Sequence, residues 1–288
     1  MNLFMPNKTD AAGIRIKRGL LNIVKYGTLL FLLFIFIAPL YWMVATSLKV
    51  GADIQAWPPQ WIPHEITLDS YKQAISVIPF GRLFFNSIVI GVITVVGNVF
   101  GCTMASYTLV RKKFKGKNIV FLLIVSSMML PTHIRLIPLY LMCLKLNLAN
   151  TYLGIALPTL VTGFGVFMMR QFITGMPKEV EDAARVDGLS EWGILWKIVL
   201  PMCRPAVISL SIFAFTWSFE DFLWPLIVTS ESTMRPLPVG ITLFQGLVVY
   251  EWGPVMAMAT LTILPVLVVY LLLQKYFVTG MTAGAVKG

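Results

Sequence analysis

Four stretches of this sequence run past twenty residues without a charged side chain: Tyr26 to Leu48 (23 residues), Leu83 to Val110 (28), Leu146 to Met169 (24) and Trp252 to Gln274 (23). About 20 apolar residues carry an α-helix across the hydrocarbon of a bilayer. Only helices and closed barrels satisfy their backbone there, and runs this long are helical runs. The rest of the composition agrees, with 57% hydrophobic residues, 12% charged and a mean hydropathy of +0.80, where soluble chains carry about 25% charged residues. The expected class is an all-α, polytopic membrane protein in contact with the lipid bilayer. A net charge of +10 does not call for nucleic acid, because basic residues beside apolar spans are ordinary marks of topology.

Two further apolar segments are shorter: Asn118 to Ile134, 17 residues with His133 counted neutral, and Pro205 to Phe219, 15 residues. Both resume beyond a break, as LIPLYLMCL and FLWPLIV, so each is read as a span with proline and charge near one end. That makes six transmembrane helices. The first, at 26-48, is too long for a signal-peptide core and is read as an uncleaved anchor. Residues 1-25 form a basic segment, and 49-81 an external connection whose prolines exclude a long helix before about Leu68. Residues 82-275 are the main transmembrane domain and 276-288 a C-terminal tail. With the N-terminus inside, 17 Lys and Arg fall on the cytoplasmic side and 6 outside. Both termini are therefore expected in the cytoplasm.

The cytoplasmic side then receives a polar island. Glu179 to Pro201, EVEDAARVDGLSEWGILWKIVLP, holds five of the chain's 13 acids. Pro177 sits where a helix starts, and Glu179, Glu181 and Asp182 favour the positive end of its dipole. Glu181 and Arg185 are four apart in the favourable order. Ala183 and Ala184 permit close approach by another surface. Gly188 is a left-handed stop and Ser190 a cap for a second helix. In that helix Trp192, Leu195, Trp196 and Val199 share one apolar face, and Pro201 ends the run. The expectation over 177-201 is a helix-turn-helix built for docking rather than a solvated loop.

Asp182 to Ala184, Asp187-Gly188 and the Ile198, Leu200, Pro201 ending resemble the EAA loop of the membrane subunits of ABC importers. Asp182 stands where Glu is usual, with Glu181 just before it, so which carboxylate meets a partner is open. FNSIVI at Phe85 to Ile90, the stretch Pro131 to Pro158, DFLWPLIV at Asp221 to Val228 and GMTAGAVKG at Gly280 to Gly288 are similar to the carbohydrate-uptake permeases of the maltose and glycerol-3-phosphate kind. The resemblance implies the type I ABC importer fold in a bacterial or archaeal plasma membrane. It also implies a sugar or oligosaccharide substrate, a second homologous permease, an external solute-binding protein and two copies of a cytoplasmic ATPase. Glu181, Asp182, Ala183, Ala184, Asp187, Gly188, Leu195 and Pro201 become the candidate ATPase-docking residues. No GxxxxGK[ST] occurs, so the chain is expected to bind no cofactor and to hydrolyse nothing itself, ATP and Mg being used by the partner.

Candidates for a substrate path follow from ionisable and aromatic residues at membrane depth: Asn86 and Asn98 in the second span, and Trp217, Glu220, Asp221 and Trp224 around the fifth. The competing reading puts the acids in the headgroup layer by snorkelling and the tryptophans in an interfacial belt. No chemistry attaches to the basic loop Arg111 to Lys117 beyond topology and anionic lipid. Glu231, Arg235 and Glu251 belong to the last external connection, where the family analogy implies contact with the binding protein. His64 and His133 are isolated, and Cys102, Cys143 and Cys203 lack metal or CxxC spacing, so neither a metal site nor a disulfide is expected. An ion-gradient-driven secondary transporter is the alternative class, but the halves lack the inverted repeat that it would call for. An intramembrane enzyme would need a catalytic group that is missing here.

Overall fold

The computed structural model describes the backbone of residues 8–247 and 252–282, with side chains over 19–242 and 252–274. Glu251 and the tail from 283 lie outside the described residues. Among those residues there is helix and loop and no strand. Helix α1 (Lys8–Ser47) runs unbroken from the basic segment through the first apolar run, so the boundary expected near residue 25 is one of composition and not of structure. Short α2 (Gly51–Ile54) and an irregular proline-rich stretch lead to α3 (Asp69–Val77), starting where the prolines end. Among the described residues three helices are long and apolar enough to cross a membrane: Gly19–Ser47 of α1, α4 (Phe80–Arg111), and Trp252–Gln274.

Among the described residues the count of spans rises to as many as six if each of three bent helix pairs is taken as one span. Helix α5 (Lys117–Ser126), prolonged by a 3-10 turn to Met129, meets α6 (Thr132–Lys145) at 106°, with Pro131 at the break as expected. Helix α7 (Tyr152–Ala156), prolonged by Leu157–Thr159, meets α8 (Gly163–Thr174) at 53°. The run 146-169 is thus not one continuous helix. Asn147 and Asn150 stand at φ 54° and 57° before it, left-handed positions that asparagine tolerates, and Thr151 and Thr162 cap its two halves. The polar island supplies α9 (Lys178–Val186), α10 (Glu191–Ile194) and α11 (Leu200–Met202), and an 82° bend then leads into α12 (Arg204–Glu220). Helices α13 (Leu223–Val228), α14 (Leu237–Leu247) and α15 (Trp252–Thr282) complete the chain.

The chain divides into two compact units, residues 1–71 with 251–257 and residues 72–250 with 258–288. In the first, Trp42 of α1 meets the Trp61 ring edge-on at 5.1 Å and lies under the Lys49 ammonium at 4.0 Å. In the second, α4 is the spine, packed along α7, α8, α12 and α14. Lipid tails are as apolar as leucine, so burial in a bilayer drives little helix association, and small residues and interhelical hydrogen bonds matter more. Helix α4 follows that rule with a buried stripe of Asn86, Ser87, Thr94, Asn98, Thr103 and Ser106. A Cβ on Gly97 or Gly101 would meet Leu160 or Val161 side chains at 2.6 and 2.4 Å. These two glycines let the break between α7 and α8 press against α4.

Asn98 holds that break. Its amide donates to the Thr159 carbonyl, and its carbonyl oxygen accepts from the Thr162 hydroxyl at 2.8 Å. Replacing Asn98 by Leu strands both partners, at a cost of about 1–3 kcal/mol for each buried group left unsatisfied. A lowered melting temperature of the detergent-purified protein is the expected result, with the variant still reaching the membrane.

Candidate functional site

The island folds largely as its residues dictate. Pro177 occupies the N-cap of α9, with Glu179 and Glu181 in its first turn. At the other end the Leu189 N–H reaches the Ala184 carbonyl at 3.0 Å and the Gly188 N–H reaches Arg185 at 3.1 Å, with Gly188 at φ +82°. This is a Schellman stop, which needs a left-handed residue at Gly188. The Ser190 hydroxyl then accepts from the Gly193 N–H at 3.2 Å and starts α10.

Beyond Ile194 the second helix departs from expectation. Leu195–Val199 is a π turn, and the helix continues through Pro201 to Met202. Proline has no N–H for the preceding turn and its ring crowds the carbonyl four residues back, so the chain widens ahead of it instead of stopping. The wider turn shifts the apolar face. Ile194, Leu195 and Val199 are buried, Trp196 is half-buried against Phe100 at 4.7 Å, and Trp192 is 60% exposed. The expected common face of Trp192, Leu195, Trp196 and Val199 is therefore split.

Helix α9 divides its residues just as sharply. Glu181 is fully buried and Ala184 nearly so, while Asp182, Ala183, Val186, Asp187 and Gly188 are exposed, Val186 at 88%. Glu181 Oε1 accepts from Arg111 Nε at 2.6 Å, and Glu181 Oε2 faces Arg185 Nη2 at 3.7 Å. Arg111 also donates to the Met176 carbonyl at 3.1 Å. Arg185 bridges outward, to Asp182 Oδ1 at 2.5 Å and to Glu191 Oε1 at 3.0 Å. Glu191 Oε2 takes the Tyr107 hydroxyl at 2.8 Å and Lys112 Nζ at 2.9 Å. Of the candidate docking set, Glu181, Ala184 and Leu195 thus lie inside the protein and cannot themselves meet a partner. Asp182, Ala183, Asp187, Gly188 and Pro201 are on the surface. Val180, Val186 and Trp192 join them as exposed apolar side chains.

The basic loop has a larger part than topology. Arg111 and Lys112 anchor the island's acids to the C-terminal end of α4. Only an excess of acids facing a basic cluster across 70 residues of sequence hinted at this. The Arg185 guanidinium first, then Lys112 and Tyr107, pull the Glu191 carboxyl down to about 2, well below its ordinary value.

The path candidates separate in the same way. Asn86 is buried, donating to the Thr233 and Arg235 carbonyls at 2.8 and 2.9 Å and accepting from the Tyr152 hydroxyl at 2.8 Å. Asn98 is spent on the α7–α8 break. Trp224 is 3% exposed, its indole N–H shared between the Gly154 and Ile155 carbonyls at 3.2 and 3.1 Å. It belongs neither to an interfacial belt nor to an open path, and all three residues tie helices together. Asp221 caps α13, its Oδ1 accepting from the Trp224 N–H at 3.4 Å. Trp217 and Glu220 remain on the surface of α12. Trp217 lies 5.4 Å from Phe213 and 5.3 Å from Phe164, two aromatics missed in the sequence although 213, 217 and 220 have helical spacing. Arg235 is half-buried and Glu231 exposed in the loop that Asn150 and Asn86 hold. Among the described residues no cluster of His, Cys, Asp and Glu could hold a metal ion, and all three cysteines are free and buried.

Residues 97–283 match the model of the binding-protein-dependent transport system inner membrane component family, and the chain belongs to that family. It is 34% identical over 261 residues to an arabinooligosaccharides transport system permease protein of Halalkalibacterium halodurans, covering 90% of this chain and 94% of the relative. It is also 34% identical over 252 residues to a sulfoquinovosyl glycerol transport system permease protein of Agrobacterium fabrum, covering 87% and 88%. In fold it is similar to a crystal structure of a bacterial ABC transporter involved in the import of the acidic polysaccharide alginate. That match has a TM-score of 0.76 and 22% identity, over 96% of this chain and 100% of the other. The protein is thus a multi-pass permease component of a binding-protein-dependent transport system.

Because the folded carboxyl of Glu191 titrates lower than an ordinary glutamate, its contribution is complete above about pH 4.5 and lost as pH falls towards 2. Glu191 is 44% exposed, so solvent screens much of that contribution. Glu191→Gln is expected to lower the melting temperature by a few degrees at neutral pH and to flatten its decline in acid. Thermal unfolding followed across pH checks both.

Proposed function

We propose that this chain carries saccharides across a bacterial or archaeal plasma membrane, together with a second permease subunit. In this reading an external binding protein delivers the sugar, and two copies of a cytoplasmic ATPase supply the energy. The observation that carries the reading is the division of α9. Its inner face is locked to α4 by Glu181 and Arg111, and its outer face offers Asp182, Ala183 and Val186 to a partner. Val180, Val186 and Trp192 give the island three exposed apolar side chains that a docked partner can cover.

The inward contacts explain how docking would move the membrane helices. A push on α9 reaches the end of α4 through Arg111, Tyr107 and Lys112, and reaches α12 through the short segment ending at Cys203. Helices α4 and α12 pack along each other, with α8 against both. Force applied at one cytoplasmic surface is thereby shared among three spans. Trp217 and Glu220 on α12 are the residues of this chain left to line a sugar path, an aromatic platform with an acceptor beside it.

The test separates the two acids. Asp182→Lys keeps the buried pair and is expected to leave a normally folded permease that loses most of its ATPase in a pull-down. Glu181→Lys places a second cation against Arg111 and is expected to lower the amount of folded protein, since breaking a buried pair costs about 3–5 kcal/mol. Full ATPase retention by Asp182→Lys contradicts the docking role. For Gly188→Val, forcing a β-branched residue to φ +82° strains the stop between the helices. Saccharide uptake is expected to vanish while the protein remains in the membrane, and normal uptake would refute the role of this turn.

A further inference from the structure

Glu220 is the last residue of α12, where the helix dipole presents its negative end and disfavours an acid. It is exposed, and among the described residues it makes no ion pair. Its neighbour Asp221 is spent on the start of α13. On α12 the residues Phe213, Trp217 and Glu220 are spaced i, i+4 and i+7, which aligns them on one face. Phe164 of α8 meets the first two edge-on, at 5.2 and 5.3 Å. No Lys or Arg follows Arg204 in α12, and Arg170 of α8 lies over the Phe121 ring at 4.0 Å. The outcome is an aromatic ladder ending in an uncompensated carboxylate, at the end of a span away from the island.

An exposed acid at the end of a span is open to water or to a ligand. A row of rings suits the apolar faces of pyranose or furanose units, and a carboxylate accepts hydrogen bonds from hydroxyls. The same carboxylate repels an anion. We propose that Glu220 makes this face a charge filter: it passes neutral, hydroxyl-rich saccharides and disfavours uronic acids and sugar phosphates. The inference rests on the reading of this face of α12 as part of the sugar path.

Thiol chemistry from the external side tests both layers without depending on what a binding protein selects, and the buried native cysteines give a low background. Trp217→Cys in the assembled transporter is treated with a trimethylammonium methanethiosulfonate and with its sulfonate counterpart. With each rate taken relative to that reagent's rate with a free thiol in solution, the cationic reagent is expected to be favoured about tenfold or more, Glu220→Gln to remove the preference, and Glu220→Lys to reverse it. Equal relative rates with Glu220 in place overturn the charge filter and leave the path reading standing. No reaction with either reagent overturns the path reading, and the filter with it. Phe213→Cys, one turn deeper on the same face, repeats the measurement if the Trp217 variant does not assemble.

Discussion

A carboxylate with no exposure to solvent needs a cation at hand, and Glu181 has Arg111 at 2.6 Å. Taking the two charges out of water costs several kcal/mol for each ion, which the pair recovers only in good geometry with further hydrogen bonds. Arg111 obtains one from the Met176 carbonyl, just ahead of α9. With Glu181 fixed inward, the helical period decides the rest: Ala184 follows it into the core, and Asp182, Ala183 and Val186 turn out. Arg185 is left at the rim, where it gathers Asp182 and Glu191. One buried pair thus sets which half of α9 is buried and which half is exposed.

The pair also marks one end of a longer arrangement along α4. Arg111 closes its C-terminal end on the island, Asn98 holds the α7–α8 break near its middle, and Asn86 holds the loop at 233–235 at the far end. The Asn98 contact is polar in a place where apolar packing supplies little driving force. The island is too charged for hydrocarbon and can use the hydrophobic effect. Burying Ile194, Leu195 and Val199 is worth about 1.5–3 kcal/mol each. The same unit is therefore held by directed hydrogen bonds within the membrane and by ordinary burial at its edge.

Much of this was legible in the residues. Charge-free runs located the spans, prolines and acids located the bends at Pro131 and after Glu220, and Gly188 and Ser190 located the island's turn. What stayed hidden depended on contacts distant in sequence. Spacing could not tell that Glu181 faces Arg111 while Asp182 faces solvent, and with no partner in view both looked like docking acids. The register of Leu195 and Trp192 was missed because the π turn ahead of Pro201 breaks the 3.6-residue period that the reading assumed. Asn86, Asn98 and Trp224 looked like path residues because polar groups in a membrane helix are expected to have a function. Here Asn98 and Trp224 bond backbone carbonyls of the broken span that holds α7, and Asn86 bonds the loop at 233–235.

The most direct test of the division of α9 is the accessibility of position 186. A cysteine replacing Val186 is labelled from the cytoplasmic face in inside-out vesicles, with and without the bound ATPase. The account predicts rapid labelling of the free permease and strong protection once the ATPase is attached. Labelling that is equally fast in both states would contradict it, because the outward half of α9 would then not be the surface that the ATPase covers.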